Sequence, residues 1–175
     1  CTDITIEFLT ALHMTSSAHD TFSEFCNACK RGNMDKATQL LGSIENVNAI
    51  NKFGNSPLTL AVRTKLVALV GFLLDNGADI GLRVQNYRTA LHCAAEIEDN
   101  ADVVRLLIHR GADVHATDEF GNEPIRVACG RSNLRCLVHA GAAENQAIVV
   151  AAVQGFDDVV DELVERGVDV DARVG

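Results

Sequence analysis

The side chains with latent chemistry in this chain are its thiols and imidazoles. Cys26-x-x-Cys29 has the spacing of a redox dithiol or of half a zinc site. Cys136 and His139 form a second Cys/His pair, with Cys129 shortly before them. A metal or small-molecule site built from Cys129, Cys136 and His139 is therefore one reading of that stretch. Against it, a closed zinc site takes four ligands, and buried free cysteine commonly serves as a small apolar side chain. His92 would need a nucleophile and an orienting acid beside it to act as a general base, and no recognisable motif places them there. Gly-x-Gly-x-x-Gly, the phosphate-loop pattern, His-Glu-x-x-His and Gly-x-Ser-x-Gly are all absent from the sequence. The residues argue for a chain that is not an enzyme and needs no cofactor.

Composition narrows the classes further. Of 175 residues, 47% are hydrophobic but only 5% aromatic, and Ala, Val and Leu dominate the apolar set. Small side chains of this kind suit thin, closely stacked layers. A net charge of −9 opposes nucleic-acid binding, which rests on neutralising phosphates. The sequence contains no apolar run of membrane-spanning length, so no membrane insertion is expected. Irregularly spaced cysteines without a secretory signal read as reduced thiols in an intracellular, cytoplasmic protein. Both ends read as cuts from a longer chain, with Met14 as an alternative start.

The elements that would position these groups emerge from internal repetition. Gly77-Ala78-Asp79-Ile80, Gly111-Ala112-Asp113-Val114 and Gly167-Val168-Asp169-Val170 read almost alike. Pro57-Leu58, Ala90-Leu91 and Pro124-Ile125 recur at nearly the step that separates Gly77 from Gly111. Before them stand Phe53-Gly54-Asn55, Asn86-Tyr87-Arg88 and Phe120-Gly121-Asn122. Ser56 and Thr89 are helix N-cap types, Pro57 suits a first helical turn, and Gly77, Gly111 and Gly167 suit the position after a helix.

This pattern resembles the ankyrin repeat, a unit of about 33 residues made of a β-turn and two antiparallel helices. The resemblance implies an all-α solenoid of stacked helix-turn-helix pairs with short projecting β-turn fingers. It places five repeats at approximately 21–50, 51–83, 84–116, 117–142 and 143–174, making 21–175 one repeat domain. The fourth and fifth are degenerate: Pro124 stands closer to Gly141 than Pro57 does to Gly77, so a helix there is shortened. The finger between them should be largely missing. Tyr87 occupies a finger position held by Gly54 and Gly121, so if that turn needs a positive φ, either Tyr87 is strained or the turn type changes. In the family, a histidine at the position of His92 bonds to backbone around the helix start. Residues 1–20 fit no repeat; Ile4, Phe8, Leu9 and Leu12 suggest an amphipathic helix, either a cap or the tail of a preceding domain.

The family presents partners with a concave face of fingers and inner-helix ends. On that face stand Lys52, Phe53 and Asn55, then Gln85, Asn86, Tyr87 and Arg88, then Glu119, Phe120 and Asn122, extended by Arg63, Glu96 and Ile97. Phe53, Tyr87 and Phe120 recur at nearly the repeat interval, so they should form a row. Exposed aromatics and arginine dominate binding hot spots, although each ring packing on its neighbouring finger is the alternative. The expected function is protein–protein recognition, with the three rings as anchors and Arg63, Arg88, Glu96 and Glu119 setting polarity. A structural spacer within a larger protein is the competing reading. These motifs leave the identity of the partner protein or peptide and the oligomeric state open. The acidic stretch Asp157, Asp158, Asp161, Glu162, Glu165, Asp169 and Asp171, set against Arg166, reads as a solvated face or a site for a basic segment.

Overall fold

The computed structural model describes residues 20–168, so the expected helix over the N-terminal extension and the last two acids lie outside the described residues. Nine α-helices follow one another there, and the described residues contain no strand. They are α1 (20–31), α2 (Met34–Leu41), α3 (Pro57–Val62), α4 (Val67–Asp75), α5 (Ala90–Ala95), α6 (Ala101–His109), α7 (Arg131–His139), α8 (Glu144–Gln154) and α9 (Asp157–Glu165). A 3-10 turn, Pro124–Val127, stands where another inner helix would be.

The start of α3 is set by its sequence. The hydroxyl of Ser56 accepts a bond from the Thr59 N–H (3.2 Å), and the Ser56 N–H donates to the Thr59 hydroxyl (3.0 Å). With Pro57 next, this capping box launches α3, all six of whose residues are buried. Gly77, Gly111 and Gly167 end outer helices with φ of 86°, 87° and 82°, a conformation that costs glycine nothing. Helices this short are marginal alone, so the stack must stabilise them. Ala61, Ala94, Ala95, Ala128 and Ala151, all buried, let neighbouring inner segments approach closely, while Leu73, Leu107, Leu137 and Leu163 fill the layer beneath the outer helices.

The fourth unit shows what its missing residues cost. Glu123 provides no side-chain cap, the inner segment stays a single turn, and Ala128 leaves the helical region with ψ 126°. That break would orphan the Ala128 carbonyl. Gln154 of α8 bridges the gap instead, donating to Ala128 O (2.6 Å) and accepting from the Gly130 N–H (3.3 Å). Between α7 and α8 only residues 140–143 intervene, so no finger projects there, as the short spacing required.

Two buried amides join successive layers. Asn100 donates to the carbonyls of Val62 and Ala94 (both 3.2 Å), and Asn133 to those of Ala95 (3.1 Å), Ile97 (2.7 Å) and Cys129 (2.7 Å). Each amide reaches the ends of inner segments in its own unit and in the preceding one. The two stand one repeat apart, a periodic signal present in the sequence but silent about its purpose.

Candidate partner-binding face

Among the described residues three fingers project from the stack, at 51–55, 84–88 and 118–122. Main-chain bonds of 2.9 Å close them, from Asn51 N to Asn55 O, Val84 N to Arg88 O and Asp118 N to Asn122 O. In the first, the Asn51 side-chain oxygen accepts from the N–H groups of Phe53 (2.9 Å) and Asn55 (3.1 Å). Asp118 does the same in the third for Phe120 and Asn122, both at 2.9 Å. Burial works against the Asp118 carboxylate, but the bonds from Asn122 and Phe120 outweigh it and hold its pKa below the ordinary value. Gly54 (φ 75°) and Gly121 (φ 77°) complete these turns.

The middle finger is built differently. Val84 stands where Asn51 and Asp118 do and offers no acceptor, so the turn passes through two left-handed residues, Asn86 (φ 62°) and Tyr87 (φ 57°). Tyr87 therefore bears the strain expected of it. The Arg83 guanidinium braces the turn by donating to Tyr87 O (3.2 Å) and to Thr117 O. Neighbouring fingers are tied by Gln85 N to Gly54 O (3.1 Å) and Glu119 N to Asn86 O (3.0 Å). Replacing Tyr87 by Gly should relieve the left-handed cost and raise stability by about 1 kcal/mol, read as a higher midpoint in urea unfolding. An unchanged or lower midpoint would mean that the ring's own contacts offset the strain.

The three rings reach solvent: Phe53 is 68% exposed, Tyr87 63% and Phe120 73%. Tyr87 sits one place later in its finger than Phe53 and Phe120 do in theirs, so the middle ring is displaced from strict register. Phe22, Phe25, Phe72 and Phe156, by contrast, belong to the core or pack against it.

The polar residues expected on this face divide into two groups. Arg88 and Glu96 form an ion pair (3.1 Å), and Asn122 accepts a bond on its main-chain carbonyl from His92 Nε2 (3.0 Å). Ile97 lends its carbonyl to Asn133. These residues brace the face. Lys52, Asn55, Arg63 and Gln85, together with Phe53, line an open groove of about 490 Å³ between α1, the first finger and α3. Glu119 remains exposed at the third finger tip.

His92 holds a structural position. It is fully buried at the start of α5, where Nδ1 accepts from the Thr89 N–H (3.2 Å) and Nε2–H donates to Asn122 O. That arrangement uses the neutral ring. Burial, as the largest influence, lowers its pKa despite the favourable Asn122 carbonyl. The unfolded chain then takes up a proton more readily than the folded one as pH falls through about 6.5. Stability present above that pH should decline towards pH ~5, and His92→Gln should flatten the decline. Thermal melts across this range check it; parallel slopes for both proteins would assign the pH dependence elsewhere.

The thiols do not assemble a site among the described residues. Burial raises Cys26 to about 11, against a hydrogen bond with Asn51, and raises Cys29 to about 12, so both stay protonated and apolar in character. Cys136 instead accepts from Arg105 (3.5 Å) and His139 from Arg166 (3.1 Å). No cluster of three or more Cys, His, Asp or Glu with the proximity to hold a metal occurs among the described residues. The acidic outer helix α9 pairs with two arginines of α7 as well as with Arg166. Asp158 pairs with Arg131 (3.1 Å) and Arg135 (3.0 Å), and Glu162 with Arg135 (3.0 Å) and Arg166 (2.8 Å). These pairs neutralise part of the acidic face from within.

Helix pairs, fingers and buried amides in this order invite comparison with known repeats. A family profile described as ankyrin repeats, in three copies, matches residues 25–118 and 98–174. The chain belongs to the ankyrin-repeat family. Over 112 residues this ankyrin-repeat chain is 36% identical to transient receptor potential cation channel subfamily A member 1 of Homo sapiens, covering 62% of the chain and 10% of that protein. It is 32% identical over 139 residues to the inactive serine/threonine-protein kinase TEX14 of Bos taurus, covering 77% of the chain and 9% of that protein. With ankyrin repeat domain-containing protein 63 of Mus musculus it shares 33% identity over 117 residues, 61% of the chain and 29% of that protein. The chain thus spans about a tenth of the first two relatives and under a third of the last. Ankyrin repeats are in general protein–protein interaction modules, and no described helix is long and apolar enough to cross a membrane.

Proposed function

We propose that this chain is a non-catalytic recognition module, part of a larger intracellular protein, that binds a partner protein through its fingers and inner-helix ends. The observation that carries the reading is the exposure of Phe53, Tyr87 and Phe120 in a chain that otherwise keeps its described rings against the core. Large rings in water gain little from the fold and gain much on being covered by a partner. The bracing of the fingers by Asn51, Asp118 and Arg83 supports this reading, because a preformed surface loses little entropy on binding. The buried, protonated thiols fit a reducing compartment. The much greater length of the relatives supports membership of a larger protein. Affinity capture from cell extract, with bound proteins identified by mass spectrometry, tests the proposal. A specific partner held by the chain and released by alanine at Phe53 and Phe120 supports it. Equal retrieval by both would assign the contact to another surface.

A further inference from the structure

The groove between α1, the first finger and α3 has a charge that runs against the whole molecule. The chain carries −9, yet the groove is lined by Lys30 of α1, Lys52 of the finger and Arg63 at the end of α3, with no Asp or Glu among its lining residues. None of these three cations has a carboxylate within ion-pair distance among the described residues, whereas Arg88, Arg110, Arg131, Arg135 and Arg166 all do. The groove also has an apolar side, from Phe22, Ile50, Phe53 and Leu60, and Ile50 and Phe53 are exposed. Asn27 and Gln85 line it with side-chain amides that bond to no other described residue and are free to meet a peptide main chain.

From this combination we infer that the groove binds an acidic peptide segment of the partner, its carboxylates facing Lys30, Lys52 and Arg63 and an apolar side chain lying against Phe22, Phe53 and Leu60. The inference rests on the partner-binding reading above and gives it a chemistry. Cations without a carboxylate partner among the described residues attract such a segment and repel a basic one, so charge supplies selectivity while the apolar contacts supply residence. The groove is continuous with the ring row through Phe53, and its volume falls within the range of sites that enclose a few side chains.

Fluorescence anisotropy on the full chain tests the inference with a labelled dodecapeptide rich in glutamate and carrying a central phenylalanine–leucine pair. Two control peptides replace glutamate by lysine, or the apolar pair by serine. The acidic apolar peptide should bind at least about tenfold more tightly than either control and weaken as salt is raised. The triple variant Lys30→Gln/Lys52→Gln/Arg63→Gln should lose about tenfold or more while its thermal melt stays unchanged. A lysine peptide that binds equally well, or an unaffected triple variant, overturns the assignment. If that happens while alanine at Phe53 and Phe120 still releases the cellular partner, only the acidic chemistry has failed. If neither perturbation affects binding, the recognition reading fails with it.

Discussion

Replacing Asn133 by Ala should destabilise the protein by about 3 kcal/mol, one of the largest losses from any single polar residue here. The Asn133 side chain is fully buried, and its amide nitrogen lies 2.7 to 3.1 Å from three carbonyls. Two amide hydrogens serve three acceptors, so one is shared, and removal strands carbonyls at the end of α5 and at the end of the irregular inner segment of the fourth unit. Each buried acceptor left unpaired costs about 1–3 kcal/mol, partly relieved for Ala95 O because the Cys129 N–H also reaches it, at 2.8 Å. The effect should fall on the coupling between the third and fourth units, so urea unfolding should lose cooperativity as well as midpoint. Exposed Ser132, next to it, should tolerate alanine within about 0.5 kcal/mol. Equal, small effects at both positions would show that packing alone joins these layers.

The second large effect concerns binding. Alanine at both Phe53 and Phe120 should weaken partner affinity about a hundredfold, roughly 3 kcal/mol, with little change in melting temperature. Rings exposed by 68% and 73% contribute little to the fold, so truncation leaves the stack intact. As anchors in an interface, each would carry between about 1 and 2 kcal/mol. Lys52 lies 5.3 Å from the centroid of the Phe53 ring, and its loss should therefore act in the same direction more weakly. A melting temperature that collapses without a binding defect would make the rings structural. Calorimetric titration with the captured partner, beside thermal melts, separates the two.

Much of this architecture is legible in the sequence because its signals are local. Ser56-Pro57, Gly77 and Gly111 impose helix starts and stops through backbone conformations that other residues adopt at a cost. The deletions around Pro124 and Gly141 likewise announce a shortened inner segment and a missing finger. The strain at Tyr87 follows from aligning it with Gly54 and Gly121, and its φ of 57° agrees. What escapes such reading is contact between residues far apart in the chain. Asn100 and Asn133 recur on the repeat period, but their acceptors, Val62 O and Ala95 O, lie in the preceding unit of the stack. Arg83 becomes a brace only once the turn after Val84 has shifted and freed the Tyr87 carbonyl. On the candidate face, sequence spacing located the rings but not the pairing of Arg88 with Glu96 across eight residues of chain. The groove needed α1 as well as the fingers, so Lys30 and Phe22 had no sequence signal linking them to Lys52 and Arg63.

The central claim is that the finger rings are the partner contact. A photoreactive benzoylphenylalanine installed in place of Phe53 or Phe120, and separately in place of Val164 on the outer helix α9, tests it directly. Val164 is a fair comparison, being 48% exposed but distant in the fold from the fingers. On irradiation with cell extract, both finger positions should give an adduct with the same protein, and the α9 position should give none. Adducts from α9 with that protein, or none from the fingers, would contradict the account.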